Sequence, residues 1–182
     1  MIISISGDPG SGKSTIGKML ASRLNLKHYS VGDLRGKMAL ERGMTIDELN
    51  KLGEKDAFTD KDADDYQREL GKKEDNFIID GRLSFYFIPH SFKIFLKVDE
   101  TIAAERIFSA PKRPDEPQYK NVKELLDALK NRVESDKKRY NKYYGIDHTD
   151  LKQYDLVVDT TNITPEQVCD RIISELKTKK FL

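Results

Sequence analysis

The chain has 182 residues, enough for one domain with a real hydrophobic core. Hydrophobic residues make up 37% and charged residues 35%, polar for a globular protein, yet periodic apolar segments persist and exclude wholesale disorder. A net charge of +1 gives no support to a nucleic-acid binder held by bulk charge, and a single cysteine, Cys169, excludes an internal disulfide.

From the N-terminus, "IISIS" (2–6) is a short apolar run closed by glycine, which suits a buried strand. Residues 12–25 have helical periodicity in Ile16, Met19, Leu20 and Leu24. "KHYS" (27–30) reads as a short strand and 32–43 as a helix. Two polar helices follow in the run 44–75, with Thr45 placed to cap the first. "NFIID" (76–80) and "FKIFLKV" (92–98) are strands, and 99–108 is a helix with an aspartate at its start. Three prolines in 109–121 exclude regular structure there. A long helix over about 122–144 stops at Gly145. The strand "YDLVVDT" (154–160) and a last helix, with Thr164 as N-cap and Pro165 at its first position, complete the chain.

Strands alternating with helices predict an α/β domain, a mostly parallel sheet covered on both faces, with no linker dividing 1–182. The helical run 44–75 and the proline loop 109–121 stand outside the alternation, as lids or substrate-binding insertions do. His28, His90 and His148 lack metal-ligand spacing, so no zinc site is expected. No apolar run approaches the ~20 residues of a membrane span, and no charged leader precedes the first strand. The expectation is a soluble cytoplasmic protein with no membrane partner.

"GDPGSGKS", Gly7 to Ser14, fits G-x-x-x-x-G-K-[ST] between a predicted strand and a predicted helix. Glycines let such a loop wrap a polyphosphate with its amides, so Gly7, Asp8, Pro9, Gly10, Ser11, Gly12 and Thr15 are expected around a nucleoside triphosphate. Lys13 would neutralise the β- and γ-phosphates and Ser14 would ligate Mg²⁺. Asp80 ends an apolar strand at the edge where open parallel sheets bind ligands, which makes it a second holder of Mg²⁺. No N-K-x-D base-reading motif is present, which points away from a GTPase.

Arginines suggest what accepts the phosphate. The apolar residues Leu125, Leu126, Leu129, Val133 and Tyr140 share one helix sector at about 100° per residue. Arg132, Asp136 and Arg139 fall in or beside it, although burying an unpaired charge costs several kcal/mol, roughly. Arg82, in "DGR" after Asp80, Arg35 after "SVGD", Arg106 at a helix end and Arg113 in the proline loop, the last also counted with the ATP-binding residues, are further candidates. Gathered in one cleft, they would neutralise an acceptor phosphate and the group in transfer.

With these residues in view, the chain resembles the nucleoside monophosphate kinases, and most closely the small cytidylate kinases of archaea and some bacteria. "SVGDLRGKMALERGMTIDEL", "IIDGRL", "IFLKVDETIAAERI" and "RVESDKKRYNKYYGIDHTDLKQYDLVVDTT" carry the resemblance over nearly the whole chain. It implies a P-loop fold with a five-stranded parallel sheet, a monophosphate-binding insertion at about 30–72 and a short lid at about 109–121. It implies ATP as donor, Mg²⁺, small-molecule nucleotides as partners and a monomer. By the same resemblance, Ser30, Gly81 and Asp33 match acceptor positions, Asp33 also the Mg²⁺ shell, and Asp136 reaches the acceptor ribose. Asp64 and Gln67 of the insertion are the candidates for choosing the base. One departure is Gly36, where the family places an acceptor-phosphate arginine; Arg35, one position early, is expected to substitute. Rival readings are an adenylate or uridylate kinase on the same fold, a kinase of a small non-nucleotide metabolite, and a regulatory nucleotide binder without catalysis.

Overall fold

A computed structural model describes residues 1–56 and 58–182, Phe58 without its side chain; Ala57, inside the expected insertion, lies outside the described residues. Five parallel strands, β1 (Ile2–Gly7), β2 (Lys27–Ser30), β3 (Phe77–Asp80), β4 (Phe92–Lys97) and β5 (Leu156–Asp159), form one sheet in the order β2-β3-β1-β4-β5. The strand order reverses around β1, so the loop after β1 opens at the switch point where such sheets bind ligands.

Alternation along the strands divides the core. Ile3, Ile5, Ile78, Ile94, Leu96 and Val158 face α1 (Lys13–Leu24) and α8 (Pro165–Thr178), joining Leu20, Ile172 and the buried Cys169. On the opposite face Ile2, Phe77 and Ile79 pack with Met38 of α2 (Val31–Glu41) and with Ala63 and Leu70 of α4 (Phe58–Lys73). Between those two helices lies α3 (Ile46–Lys55), entered through a capping box in which Thr45 and Glu48 satisfy each other's backbone amides. The long α7 (Val122–Tyr144) ends at Gly145 with φ 68°, as a glycine C-cap does. It packs on α6 (Glu100–Ser109) through Ala104, Leu125 and Leu129. Residues 110–121 are free of helix and strand, as their prolines require.

Two short elements were not evident in the sequence: α5 (Ser84–Phe87) and a 3₁₀ turn, Leu151–Gln153. Both are single turns, too short for a period to register. They seat an aromatic cluster of Phe85, Phe87, Tyr140, Tyr144 and Tyr154 beneath α7. Beside it His148 is buried against the Tyr140 ring, with Nδ1 unpartnered.

Burial, reinforced by Arg82, pushes the His148 imidazole down to about 3. Its folded value lies below the unfolded one, so the stability tied to a neutral ring is present above about pH 6.5 and drains as pH falls towards 3. At ~1.36 kcal/mol per unit, the loss between pH 7 and pH 5 is about 2 kcal/mol. His148→Leu is expected to remove that part of the acid sensitivity. Urea unfolding of both proteins at pH 7 and pH 5 measures it, and parallel losses in the two would refute the assignment.

Candidate functional site

The loop after β1 is shaped by its backbone. Gly7 has φ 147° and a Cβ there would stand 2.2 Å from the Leu96 carbonyl oxygen, so β4 passes too close for any side chain. Asp8 N donates to that same oxygen at 3.0 Å, while the Asp8 carboxylate accepts from Val98 N at 3.1 Å. Burial pushes the Asp8 carboxyl up. Gly12, at φ 87°, caps α1 without a side chain, leaving the first amides of the helix open to an anion. Lys13 Nζ folds back on the loop, donating to Gly7 O at 3.0 Å and Asp8 O at 2.7 Å. Burial, with Arg82 nearby, pushes it down to about 7.

At the end of β3, Asp80 gathers three partners. Ser14 Oγ donates to Oδ1 at 3.0 Å, Ser30 Oγ donates to the same oxygen at 3.1 Å, and His28 Nε2 lies 2.7 Å from Oδ2. His28 was missed in the sequence. Two residues before Ser30 on β2, it shares that strand's face, so the period-2 rule places it against Asp80. Ser14 and Asp80 offer hard oxygen donors side by side, few enough for an ion that completes its shell with phosphate and water, and they fit Mg²⁺. Asp33 sits in the first turn of α2, and its carboxylate pairs with Arg113 at 3.3 Å.

One cavity brings together Lys13, Arg35, Arg82, Arg113, Arg132 and Arg139. The helix phase holds: Asp136 and Arg139 are each 1% exposed on α7. What meets the arginines is carboxylate, and what meets Asp136 is guanidinium. Asp136 binds Arg139 Nη2 at 2.6 Å through one oxygen and Arg82 Nη1 through the other. Arg139 also donates to Asn50 Oδ1 at 3.0 Å and lies 3.5 Å from Asp60. Burial, with Arg132 and Arg139 close by, pushes Arg82 down to about 10. Arg132 forks onto Glu116 of the proline loop at 3.1 and 2.5 Å and donates to Asp47 at 2.9 Å. Burial alone would lower Arg132, but these carboxylates hold it up. Arg35 donates to Asn50 at 2.9 Å, to Thr59 O at 3.3 Å and to Asp60.

Asp47, Asn50, Asp60 and Glu116 were not singled out in the sequence, because acidic and amide residues on polar helices and loops look like solvated surface. Their signal was the inward arginines, which require buried counter-charge. Two atoms in this cavity, Asp60 Oδ2 and Arg139 Nε, are buried without any hydrogen-bond partner, as befits groups that await a ligand. Asp64 and Gln67 of α4 and Gly81 also line it. Tyr144 donates to Asp64, whose carboxyl burial pushes up to about 6; Gln67 accepts from Ser84 at 2.8 Å.

Two of the expected residues are engaged by the protein itself. Arg106 is not among the cavity's cations: it donates to the carbonyls of Thr160 at 2.7 Å and Thr161 at 3.2 Å, because the last turn of α6 faces the loop after β5. There, with Gly10, Gly12, Thr15 and Pro165, it lines a second groove along the other flank of the phosphate loop. Asp136, expected at the acceptor ribose, instead has both oxygens taken by arginines.

A family model described as the cytidylate kinase-like family matches residues 2–162. A cytidylate kinase of Methanocella arvoryzae is 39% identical over 97% of this chain and 99% of that one. An S-adenosylmethionine-dependent nucleotide dehydratase of Lacinutrix mariniflava is 35% identical over 94% of this chain, though over only 35% of its own length. Among solved structures, a shikimate kinase from Bacteroides thetaiotaomicron superposes with a TM-score of 0.67 at 20% identity, over 97% of this chain and 98% of that one, a likeness of fold alone.

Proposed function

The chain belongs to the cytidylate kinase-like family, and from that premise we propose that it transfers phosphate from ATP to CMP or dCMP, yielding ADP and CDP or dCDP. It is a nucleoside monophosphate kinase. The observation that carries the choice of reaction is the single cavity in which Lys13 of the phosphate loop faces Arg82, Arg132 and Arg139. Two polyanions cannot meet without such a set of cations. A longer relative that contains this unit and is named for acting on nucleotides accords with a nucleotide substrate.

In this reading the loop amides and Lys13 hold the donor's β- and γ-phosphates, while the groove at Arg106 and Thr160 receives the rest of the donor. Ser14 and Asp80 would hold Mg²⁺, with Asp33 on α2 as a further candidate; when bound, the ion would supply neutralising charge to the donor phosphates. Arg82, Arg132 and Arg139 neutralise the acceptor phosphate and the group in flight. No general base is required, because the acceptor's phosphate oxygen is already nucleophilic. The segment 30–72 forms the acceptor side and 109–121 the lid. The lid rests on α3, with Ile46 N donating to Asp115 O at 2.8 Å and Tyr119 donating to Asp47 at 3.0 Å, and closure of this kind keeps water from the reacting phosphate. Asp64 suits the exocyclic amine that cytosine presents, with Gln67 beside it. No described helix is long and apolar enough to cross a membrane, and we read the protein as a cytoplasmic monomer that binds no nucleic acid.

ADP release from ATP·Mg in the presence of CMP, dCMP, UMP, AMP or GMP, against a no-acceptor control, tests the proposal. Fast release with CMP and dCMP is expected. A preference for AMP or UMP would replace the base assignment, and no response to any monophosphate would overturn the acceptor assignment.

A further inference from the structure

Gly36 lies on the buried side of α2, and the proline loop fills the space that a side chain there would take. A Cβ on Gly36 would stand 2.4 Å from Asp115 Oδ2 and 3.3 Å from Arg113 Nη2. Asp115 is buried, and both its oxygens accept from Arg113, Nε and Nη2 each at 3.1 Å. The guanidinium also reaches Asp33 at 3.3 Å, so the loop is docked against α2 by a carboxylate–guanidinium–carboxylate chain. Arg113 lines the same cavity as Lys13, Arg82, Arg132 and Arg139, but differs from them in two respects. Of the described cations lining that cavity, it is the one carried by residues 110–121. With its side chain 47% exposed, against 13% for Arg132 and 1% for Arg139, it is also far less confined.

We propose that Arg113 is an acceptor-phosphate ligand delivered by the lid, and that Gly36 is bare so that the loop can bring it down. Asp33 and Asp115 hold the guanidinium at the cavity wall until a phosphate dianion, a stronger bidentate acceptor, draws it inward. Binding of the monophosphate and seating of the lid then become one event. The sequence had assigned Arg113 to ATP, and Arg35 to the role left open at position 36. Arg35, however, is engaged by Asp60, Asn50 and the Thr59 carbonyl within the insertion.

The proposal rests on the monophosphate kinase reading, and its test keeps the two apart. CMP binding and turnover are measured first on the unsubstituted protein, and absence of both would overturn the assigned acceptor and this role with it. With binding established, Arg113→Ala is expected to raise the KM for CMP at least tenfold while the KM for ATP stays within twofold. Gly36→Ala, which displaces Asp115, should raise the KM for CMP several-fold with ATP again unaffected. Adding Gly36→Arg to Arg113→Ala should recover much of the CMP affinity, which a merely structural loop contact would not allow. A rise in the KM for ATP in place of that for CMP, or no change in either, would overturn the proposal.

Discussion

Lys13→Ala is expected to lower kcat by about 10³-fold or more, the loss that follows removal of a preorganised charge from a phosphoryl-transfer site. The same substitution should leave the fold intact and make the nucleotide-free protein more stable. Lys13 Nζ contacts only two loop carbonyls, Gly7 O and Asp8 O, among the hydrogen bonds described, and burial lowers its ammonium to about 7. Because the folded value lies below that of the unfolded chain, the penalty is fully present below about pH 7 and disappears only as pH rises past 10. At pH 7 the native protein therefore carries a cost of a few kcal/mol, roughly, that the alanine variant escapes. A bound polyphosphate turns that cost into affinity by restoring the charge. Two measurements check the account: single-turnover transfer with CMP, and thermal midpoints with and without ATP. The variant should melt higher than the parent without nucleotide and gain little when it is added. Retained turnover, or a lower midpoint without nucleotide, would contradict it.

Much of this molecule is legible in its sequence because short local rules govern it. The strand "IISIS", the glycine loop and the helix behind it follow from burial period and backbone freedom, and the structure forms them within a residue or two. Capping chemistry set the ends of α3, α7 and α8, through Thr45, Gly145 and Thr164. The inward phase of Arg132, Asp136 and Arg139 was equally local. Their partners were not. Asp47 and Asn50 lie more than eighty residues away on α3, and only the packing of α3 on α7 brings them to the arginines. Arg106 shows the opposite failure: its helix was placed correctly, but which wall its last turn faces depends on where β5 ends. Gly36, which looked like a lost contact, takes its meaning from Asp115, almost eighty residues further on.

Asp136→Ala is expected to destabilise the nucleotide-free protein by about 3–5 kcal/mol, the range for removing one partner from a buried charge cluster. Asp136 is 1% exposed and joins Arg82 to Arg139, so its loss leaves two guanidiniums facing each other in a site without enough counter-charge. Arg139 keeps Asn50 at 3.0 Å and Asp60 at 3.5 Å. Arg82 keeps no other described salt bridge, and it is the cation that burial already lowers to about 10. Asp136→Asn should cost nearly as much, because the amide fills the same space but adds an NH₂ group towards one guanidinium. A nucleotide phosphate can supply the missing negative charge. CMP should therefore raise the urea midpoint of both variants more than it raises that of the parent, even as kcat falls with the arginines displaced. Were Asp136 instead a ligand of the acceptor ribose, the order would invert: the nucleotide-free protein would lose under about 1 kcal/mol, and the stabilisation by CMP would shrink. Urea titrations of the three proteins with and without CMP separate the two, and the geometry of Asp136, with both oxygens committed to arginines, predicts the first.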